Sequence, residues 1–141
     1  MYRFLQLTAG QYMTREVKTV ASKLSLRELE ALFARRDFNA FPVVEADGMI
    51  GLVTKLDFIK AFVFTPEQIV PPYEDLMSRT VGEIMTRDVV HVEPSAPLTR
   101  VLQLMVDRRA RSFPVLDKQR ELIGMISRED IMRALGEATR V

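Results

Sequence analysis

Two short stretches of the chain place a hydroxyl and a carboxylate at the same spacing, Thr54-Lys-Leu-Asp57 and Ser127-Arg-Glu-Asp130. Each follows an apolar run, Ile50-Gly-Leu-Val53 or Ile123-Gly-Met-Ile126, so the hydroxyl falls at a strand end and the acid on the first turn of a helix. A carboxylate held there can accept hydrogen bonds from both hydroxyls of a ribose. The neighbouring hydroxyl and the free amides of the helix end can reach an anionic phosphate. Such a junction suits a nucleotide. The same spacing is also that of a helix N-cap with an acid in the first turn, which stabilises the helix with or without a ligand. A cap would be duplicated as readily as a binding site, so repetition alone leaves both readings open.

The elements that must position these groups also occur twice. Residues 10–62 and 82–135 align, pairing Met13-Thr14-Arg15 with Met85-Thr86-Arg87 and Phe41-Pro42-Val43 with Phe113-Pro114-Val115. In each copy a short strand, Val17–Val20 or Val89–Val92, leads to a helix with apolar residues at three- and four-residue spacing. These are Leu26, Leu29, Leu32 and Phe33 in one copy and Leu98, Val101, Leu102 and Met105 in the other. Ser25 with Glu28 fits a capping box for the first helix, with Ser22 as the alternative cap; Ser95 is the candidate cap of the second, with Pro97 in its first turn. A hairpin follows, Phe41–Val44 with Ile50–Val53 or Phe113–Leu116 with Ile123–Ile126, and the one-residue insertion between copies falls in its turn. A last helix carries Phe58, Ile59 and Phe62, or Ile131, Met132 and Leu135.

The expected fold class is therefore α+β, as tandem β-α-β-β-α units. Residues 1–62 hold the first copy with its N-terminal segment, 63–80 a connector, and 81–141 the second copy. Pro66, Pro71 and Pro72 break regular structure in the connector, while Phe64, Ile69, Val70, Tyr73, Leu76 and Met77 predict that it packs against the repeats.

Composition narrows the function classes. A length of 141 residues suggests one jointly built core, and 48% hydrophobic with 28% charged residues is the balance of a globular protein. Twenty basic against nineteen acidic residues leave a net charge of +1, which argues against nucleic acid as a partner. Arg108-Arg109-x-Arg111 reads as solvated charge near a helix end. Cysteine is absent and His91 is the single histidine, which excludes thiolate chemistry and histidine-rich metal sites. No metal is expected. No phosphate-binding loop, zinc-protease helix or nucleophile elbow occurs, so the chain is not expected to be an enzyme. It shows neither a signal peptide nor a long apolar span, and the default location is cytoplasmic, without membrane insertion. Met85, Met105, Met125 and Met132 are read as core fillers.

Met-Thr-Arg-x-Val-x-x-Val, then a helix, then Phe-Pro-Val, then Ile-Gly-x-x-(Thr/Ser)-x-x-Asp resembles the CBS (cystathionine β-synthase) domain, in two copies covering nearly the whole chain. The resemblance implies a tandem pair, or Bateman module, whose repeats pack with pseudo-two-fold symmetry and leave two clefts for adenosine-containing ligands. It makes Asp57 and Asp130 the ribose ligands, with Thr54 and Ser127 as hydroxyl partners for ribose or phosphate. Phe41-Pro42 and Phe113-Pro114 would border the adenine, with Val20 and Val92 nearby. Arg111 stands where related sequences often place a basic residue near the phosphates, and the first copy has Asn39 there. Lys55 and Arg128 are further phosphate candidates, or else solvated cations at a helix start.

The implied function is a stand-alone regulatory module that senses AMP, ADP or ATP, or S-adenosylmethionine, and passes occupancy to an unidentified regulated protein on another chain. The alternative is a ligand-independent dimerisation or protein-docking module. A homodimer is expected, since Phe58/Phe62 and Ile131/Leu135 exceed what a small pair easily buries.

Overall fold

A computed structural model describes residues 2–35, 38–63 and 73–140. In chain order the elements are α1 (Tyr2–Leu5), α2 (Ala9–Tyr12), α3 (Leu26–Arg35), β1 (Ala40–Glu45), β2 (Gly48–Thr54), α4 (Lys55–Lys60), α5 (Tyr73–Met77), α6 (Val81–Ile84), α7 (Leu98–Arg108), β3 (Ser112–Leu116), β4 (Leu122–Ser127) and α8 (Arg128–Thr139). The class is α+β, with two antiparallel hairpins, β1–β2 and β3–β4. The prolines predicted to break the connector lie outside the described residues, as do Phe64, Ile69 and Val70.

The chain divides into two compact units that cross the sequence repeats. One comprises Met1–Val17 with Val90–Val141, the other Lys18–Val89. The N-terminal segment of the first copy thus packs with the second copy, and α5–α6 pack with the first. Each unit has its own core cluster, where chain length alone suggests one. Phe4, Ala9 and Met13 join Val92, Leu98, Val101, Phe113, Val115, Ile126 and Ile131. Met77, Val81 and Met85 join Val20, Leu26, Leu29, Phe41, Val43 and Val53.

Backbone pairing shows why the segments exchange. In the hairpins Ala40 faces Thr54 and Phe41 faces Val53, as Ser112 faces Ser127 and Phe113 faces Ile126. The outer edge of β2 is closed by Thr86, which exchanges two 2.9 Å bonds with Leu52, and that of β4 by Thr14, which exchanges 2.8 and 2.9 Å bonds with Met125. On the other edge the predicted first strands shrink to single parallel bridges, Val20 to Val43 and Val92 to Val115. Val20 donates to Pro42 O and its carbonyl accepts from Val44 N, both at 3.0 Å; Val92, Pro114 and Leu116 repeat the pattern. Both hairpins shift register at that place, between Val43 and Val44 and between Val115 and Leu116. The extra residue lies on the partner strand, Ile50 opposite Val43–Val44 and Ile123 opposite Val115–Leu116, and each hairpin goes on pairing past it. Each hairpin edge thus carries one backbone bridge, which shortens the stretch open to intermolecular pairing.

Helix starts follow the same logic. Ser25 caps α3, with Glu28 N bonded to Ser25 Oγ at 3.1 Å and Ser25 N to Glu28 Oε1 at 3.4 Å. Ser22 binds the Glu45 carboxylate instead, its amide donating at 2.8 Å, and those Ser22 bonds hold Glu45 below its ordinary pKa. Ser95 is not the cap of α7. Pro97 holds that place without a side-chain bond, and the first amide, Leu98 N, finds Leu7 O at 2.9 Å. Leu26 N finds Arg79 O at 2.9 Å in the other unit. Carbonyls of the exchanged segments thus satisfy helix-end amides that would otherwise lack partners.

The tight point is glycine. A Cβ on Gly124 would lie 2.7 Å from Met13 Sδ and 2.9 Å from Thr14 O, and one on Gly51 would lie 2.8 Å from both Met85 Sδ and Thr86 O. The methionine could move, but the carbonyl is part of the edge pairing. Gly124→Ala is therefore expected to cost about 1–3 kcal/mol. Gly136→Ala, on α8 with nothing within 4 Å of the added carbon, should stabilise by roughly 0.5–1 kcal/mol. Urea denaturation of both variants checks the pair; equal midpoints would contradict the close-approach account.

Candidate functional site

At the end of β2, Thr54 is extended (φ −110°, ψ 167°) and caps α4. Its hydroxyl accepts from Asp57 N at 3.0 Å, while Asp57 Oδ2 accepts from Thr54 N at 2.9 Å. Ser127 (φ −113°, ψ 169°) repeats this at the start of α8. Asp130 N donates to Ser127 Oγ at 3.2 Å, and Asp130 Oδ2 accepts from Ser127 N at 2.9 Å and from Ser127 Oγ at 3.0 Å. Both hydroxyl–carboxylate pairs are thus reciprocal capping boxes, which satisfy helix-end amides from within the junction.

The carboxylate oxygens left outside the boxes have different partners. Thr86, fixed by its pairing with Leu52, donates its hydroxyl to Asp57 Oδ1 at 3.2 Å, with Oδ2 at 3.4 Å. Thr14, its counterpart beside β4 and exposed like Thr86, makes no such bond among the described residues, and Asp130 Oδ1 instead meets Arg133 Nη1 at 3.3 Å. Asp130 is 3% exposed and Asp57 only half-buried. Neither Thr86 nor Arg133 stands out in the sequence as a site residue. Thr86 sits in the repeated Met-Thr-Arg motif, and Arg133 follows Asp130 by three residues, the spacing of neighbours on one helix face.

Arg133 belongs to a larger cluster on unit 1. Its Nη2 donates to Tyr12 O at 3.0 Å and its guanidinium lies 5.5 Å from the Tyr12 ring centroid. The Tyr12 hydroxyl donates to Glu137 Oε2 at 2.5 Å. That bond raises the Tyr12 pKa above its ordinary value, helped by desolvation and by the carboxylate's charge, with Arg133 opposing.

The remaining residues singled out from sequence surround these junctions in different ways. Asn39 O accepts from Lys55 N at 3.1 Å and Arg111 O accepts from Arg128 N at 3.0 Å, so each of these positions abuts its helix start. The Arg111 and Asn39 side chains are exposed. Arg128 turns its guanidinium to Ala110 O at 2.9 Å and Arg109 O at 3.2 Å, tying down carbonyls at the end of α7. Arg109 there adopts the left-handed conformation, with φ 53°. Lys55 Nζ lies 6.0 Å from the Phe33 ring centroid. Val20, Phe41, Pro42, Val92, Phe113 and Pro114 are all buried, and Phe41 stacks with Phe33 and Phe38 at 5.0 and 5.2 Å.

The outer apolar surface differs from the expected one. Ile131 is buried in its core, Phe58, Phe62 and Leu135 are half-buried, and the exposed residues on α4 and α8 are Leu56, Ile59 and Met132. Met85 and Met105 are core residues as expected, whereas Met132 is 70% exposed. A groove of about 490 Å³ runs along α7 and α8, lined by Leu102, Val106, Arg109, Met132 and Leu135 among others. Among the described residues no helix is long and apolar enough to cross a membrane, and no cluster of three or more His, Asp or Glu could hold a metal ion.

Comparison with known proteins agrees with this architecture. A homoserine O-acetyltransferase of Methanohalobium evestigatum is 29% identical over 126 residues, 89% of this chain and 23% of that protein. Protein MJ1225 of Methanocaldococcus jannaschii is 26% identical over 126 residues, 86% of this chain and 45% of that protein. The chain thus spans less than half the length of these relatives. Among solved structures, CBSX2 of Arabidopsis thaliana in complex with AMP superposes with a TM-score of 0.80 at 22% identity, covering 95% of this chain and 99% of that one. The CBS domain pair of protein MJ0100, in complex with 5-methylthioadenosine and S-adenosyl-L-methionine, gives 0.75 at 24% identity, covering 94% and 98%. The family model described as CBS domain matches residues 9–64 and again 81–137. With those two segments spanning most of its length, the chain belongs to the CBS domain family and carries two copies of that domain.

Proposed function

We propose that this chain is a regulatory ligand-sensing module that binds an adenosine-containing ligand at its two strand-to-helix junctions. The ligand would be AMP, ADP, ATP or S-adenosylmethionine. The observation that carries this reading is the carboxylate at each junction: capping occupies Oδ2, while Oδ1 is held only by side chains that a ligand can displace. It is supported by similar CBS pairs that hold AMP, or 5-methylthioadenosine and S-adenosyl-L-methionine.

In this reading the ribose diol bonds to Asp57 in place of the Thr86 hydroxyl, and to Asp130 in the other unit. Carboxylate acceptors make such bonds stronger than neutral ones. Phe41-Pro42 with Val20, and Phe113-Pro114 with Val92, border the adenine, which reaches these buried residues only as the junction opens. The Thr54 hydroxyl can donate to a phosphate oxygen, as can that of Ser127 once it releases Asp130 Oδ2. Exposed Arg111 gives unit 1 a charge-assisted phosphate contact for which Asn39 offers only a neutral one. Lys55 is the cation candidate of unit 2, its Nζ 6.0 Å from the Phe33 ring centroid, whereas Arg128 must first release the Ala110 and Arg109 carbonyls. Occupancy reaches a regulated protein only to the extent that the ligand binds one conformation better than another.

A second reading has its own observation. The capping boxes are complete without a ligand, and Leu56, Ile59 and Met132 are 59%, 61% and 70% exposed. A module that only dimerises or docks would have this appearance. The two readings share one expectation, a homodimer that covers these apolar residues and the groove along α7 and α8.

Isothermal calorimetry with AMP, ADP, ATP and S-adenosylmethionine is expected to show binding by at least one, with stabilisation of about 2.7 kcal/mol at a hundredfold excess over Kd. Asp57→Ala and Asp130→Ala should each lose about 0.5–2 kcal/mol of intrinsic stability, the cost of a missing cap. Each should also lose the ligand-dependent gain at its junction. If the gain survives both substitutions, the carboxylates are caps alone. Light scattering at micromolar concentration should report twice the chain mass of 16.2 kDa; a monomer would rule out the self-association.

A further inference from the structure

The two junctions share a fold but not a charge. Asp130 Oδ1 is paired with the Arg133 guanidinium, whereas Asp57 Oδ1 receives a neutral hydroxyl from Thr86. In the repeat alignment Lys60 occupies the place of Arg133 and Ile84 that of Tyr12. Among the described residues Lys60 makes no ion pair with Asp57. The difference is built into the surroundings of unit 1. Arg133 is held from three sides, by the Asp130 carboxylate, by Tyr12 O at 3.0 Å and by the Tyr12 ring face, and that ring is in turn anchored by Glu137. Its side chain is nevertheless 52% exposed, and of its five donors one, on Nη2, is hydrogen-bonded.

We propose that Arg133 is a specificity-determining residue: it makes the Asp130 junction select phosphorylated over neutral adenosine ligands, while the Asp57 junction lacks this preference. The inference rests on the ligand reading above and deepens it. A ribose diol brought to a carboxylate also brings whatever charge its 5′ substituent carries. At Asp130 the ion pair cancels the carboxylate's charge before the ligand arrives, so a phosphate entering nearby meets no net repulsion. When the diol takes over an acceptor position on Asp130, guanidinium donors are released within reach of an anion, and exposed Arg111 adds a second cation. A neutral nucleoside gains none of this and still has to compete with the guanidinium. At Asp57 a weak neutral bond is displaced and no cation pairs the carboxylate, the Lys55 ammonium lying 6.0 Å from the Phe33 ring centroid instead, which disfavours an anion relative to the Asp130 junction.

The test uses calorimetry with AMP and with adenosine as a matched pair. In an Asp57→Ala chain, which leaves only the Asp130 junction, AMP should bind more tightly than adenosine. Adding Arg133→Gln should lower the AMP-to-adenosine affinity ratio about tenfold or more. Arg133→Lys, which keeps the charge, should retain most of that ratio. In an Asp130→Ala chain, Lys60→Gln should leave the ratio unchanged. A purely structural role for Arg133 would weaken both ligands alike, so an unchanged ratio in Arg133→Gln overturns the proposal while leaving the ligand reading intact. The proposal fails equally if Arg133→Lys loses the ratio as fully as Arg133→Gln does. Absence of heat with both AMP and adenosine in the unsubstituted chain overturns this proposal, and absence with ADP, ATP and S-adenosylmethionine as well overturns the ligand reading.

Discussion

A backbone segment can pair with a sheet edge only where no side chain stands between them, and that condition is met at Gly51 and Gly124. A Cβ at either position would fall 2.9 Å or less from a carbonyl of the docked segment. Because the approach is open, Thr86 and Thr14 complete the edges of β2 and β4, Met85 and Met13 enter the two cores, and carbonyls of the same exchanged segments receive the first amides of α3 and α7. The exchange of segments between copies is thus one arrangement that satisfies sheet edges, helix ends and cores together. It also places Thr86 within bonding distance of Asp57. The junction chemistry therefore depends on a glycine three residues before the hydroxyl.

The capping box has a second consequence. A carboxylate that caps its own helix is fixed in position before any ligand arrives, so binding would not bear the cost of ordering it. Capping and binding are often treated as rival explanations for Ser/Thr-x-x-Asp. At both junctions the box takes one oxygen, Oδ2, and Oδ1 faces side chains outside it. On the proposed reading, that division would let one residue serve stability and recognition without losing either.

The repeats, the hairpins, the long helices and the hydroxyl–carboxylate junctions are legible in the sequence, because each follows from local periodicity and spacing. Ser25–Glu28 is legible for the same reason. What cannot be read is what depends on contacts distant along the chain. Nothing local says that α7 takes its first amide bond from Leu7 rather than from Ser95, or that the first strands shrink to single bridges at Val20 and Val92. The crossing of copies is hidden because Met-Thr-Arg aligns equally well whichever sheet it joins. Arg128 reads as a phosphate candidate from its place after Ser127, yet its guanidinium reaches carbonyls at the end of α7, one of them on a left-handed residue that leaves them open to a donor.

Duplication gives two junctions the same geometry, and divergence then acts on whatever the geometry leaves unspecified. The capping box constrains Thr54 and Asp57 as tightly as Ser127 and Asp130, since loss of either member strands a helix-end amide. The partner of Oδ1 has no such duty. In one unit it is supplied by the docked segment, as the Thr86 hydroxyl. In the other it comes from the helix itself, as Arg133, and the docked segment contributes Tyr12 to hold that guanidinium. A neutral partner leaves the carboxylate's charge available, and a cationic one cancels it. The two junctions can therefore differ in the ligand charge they accept while their backbones remain alike, which a change in the box residues themselves could not achieve without loss of stability.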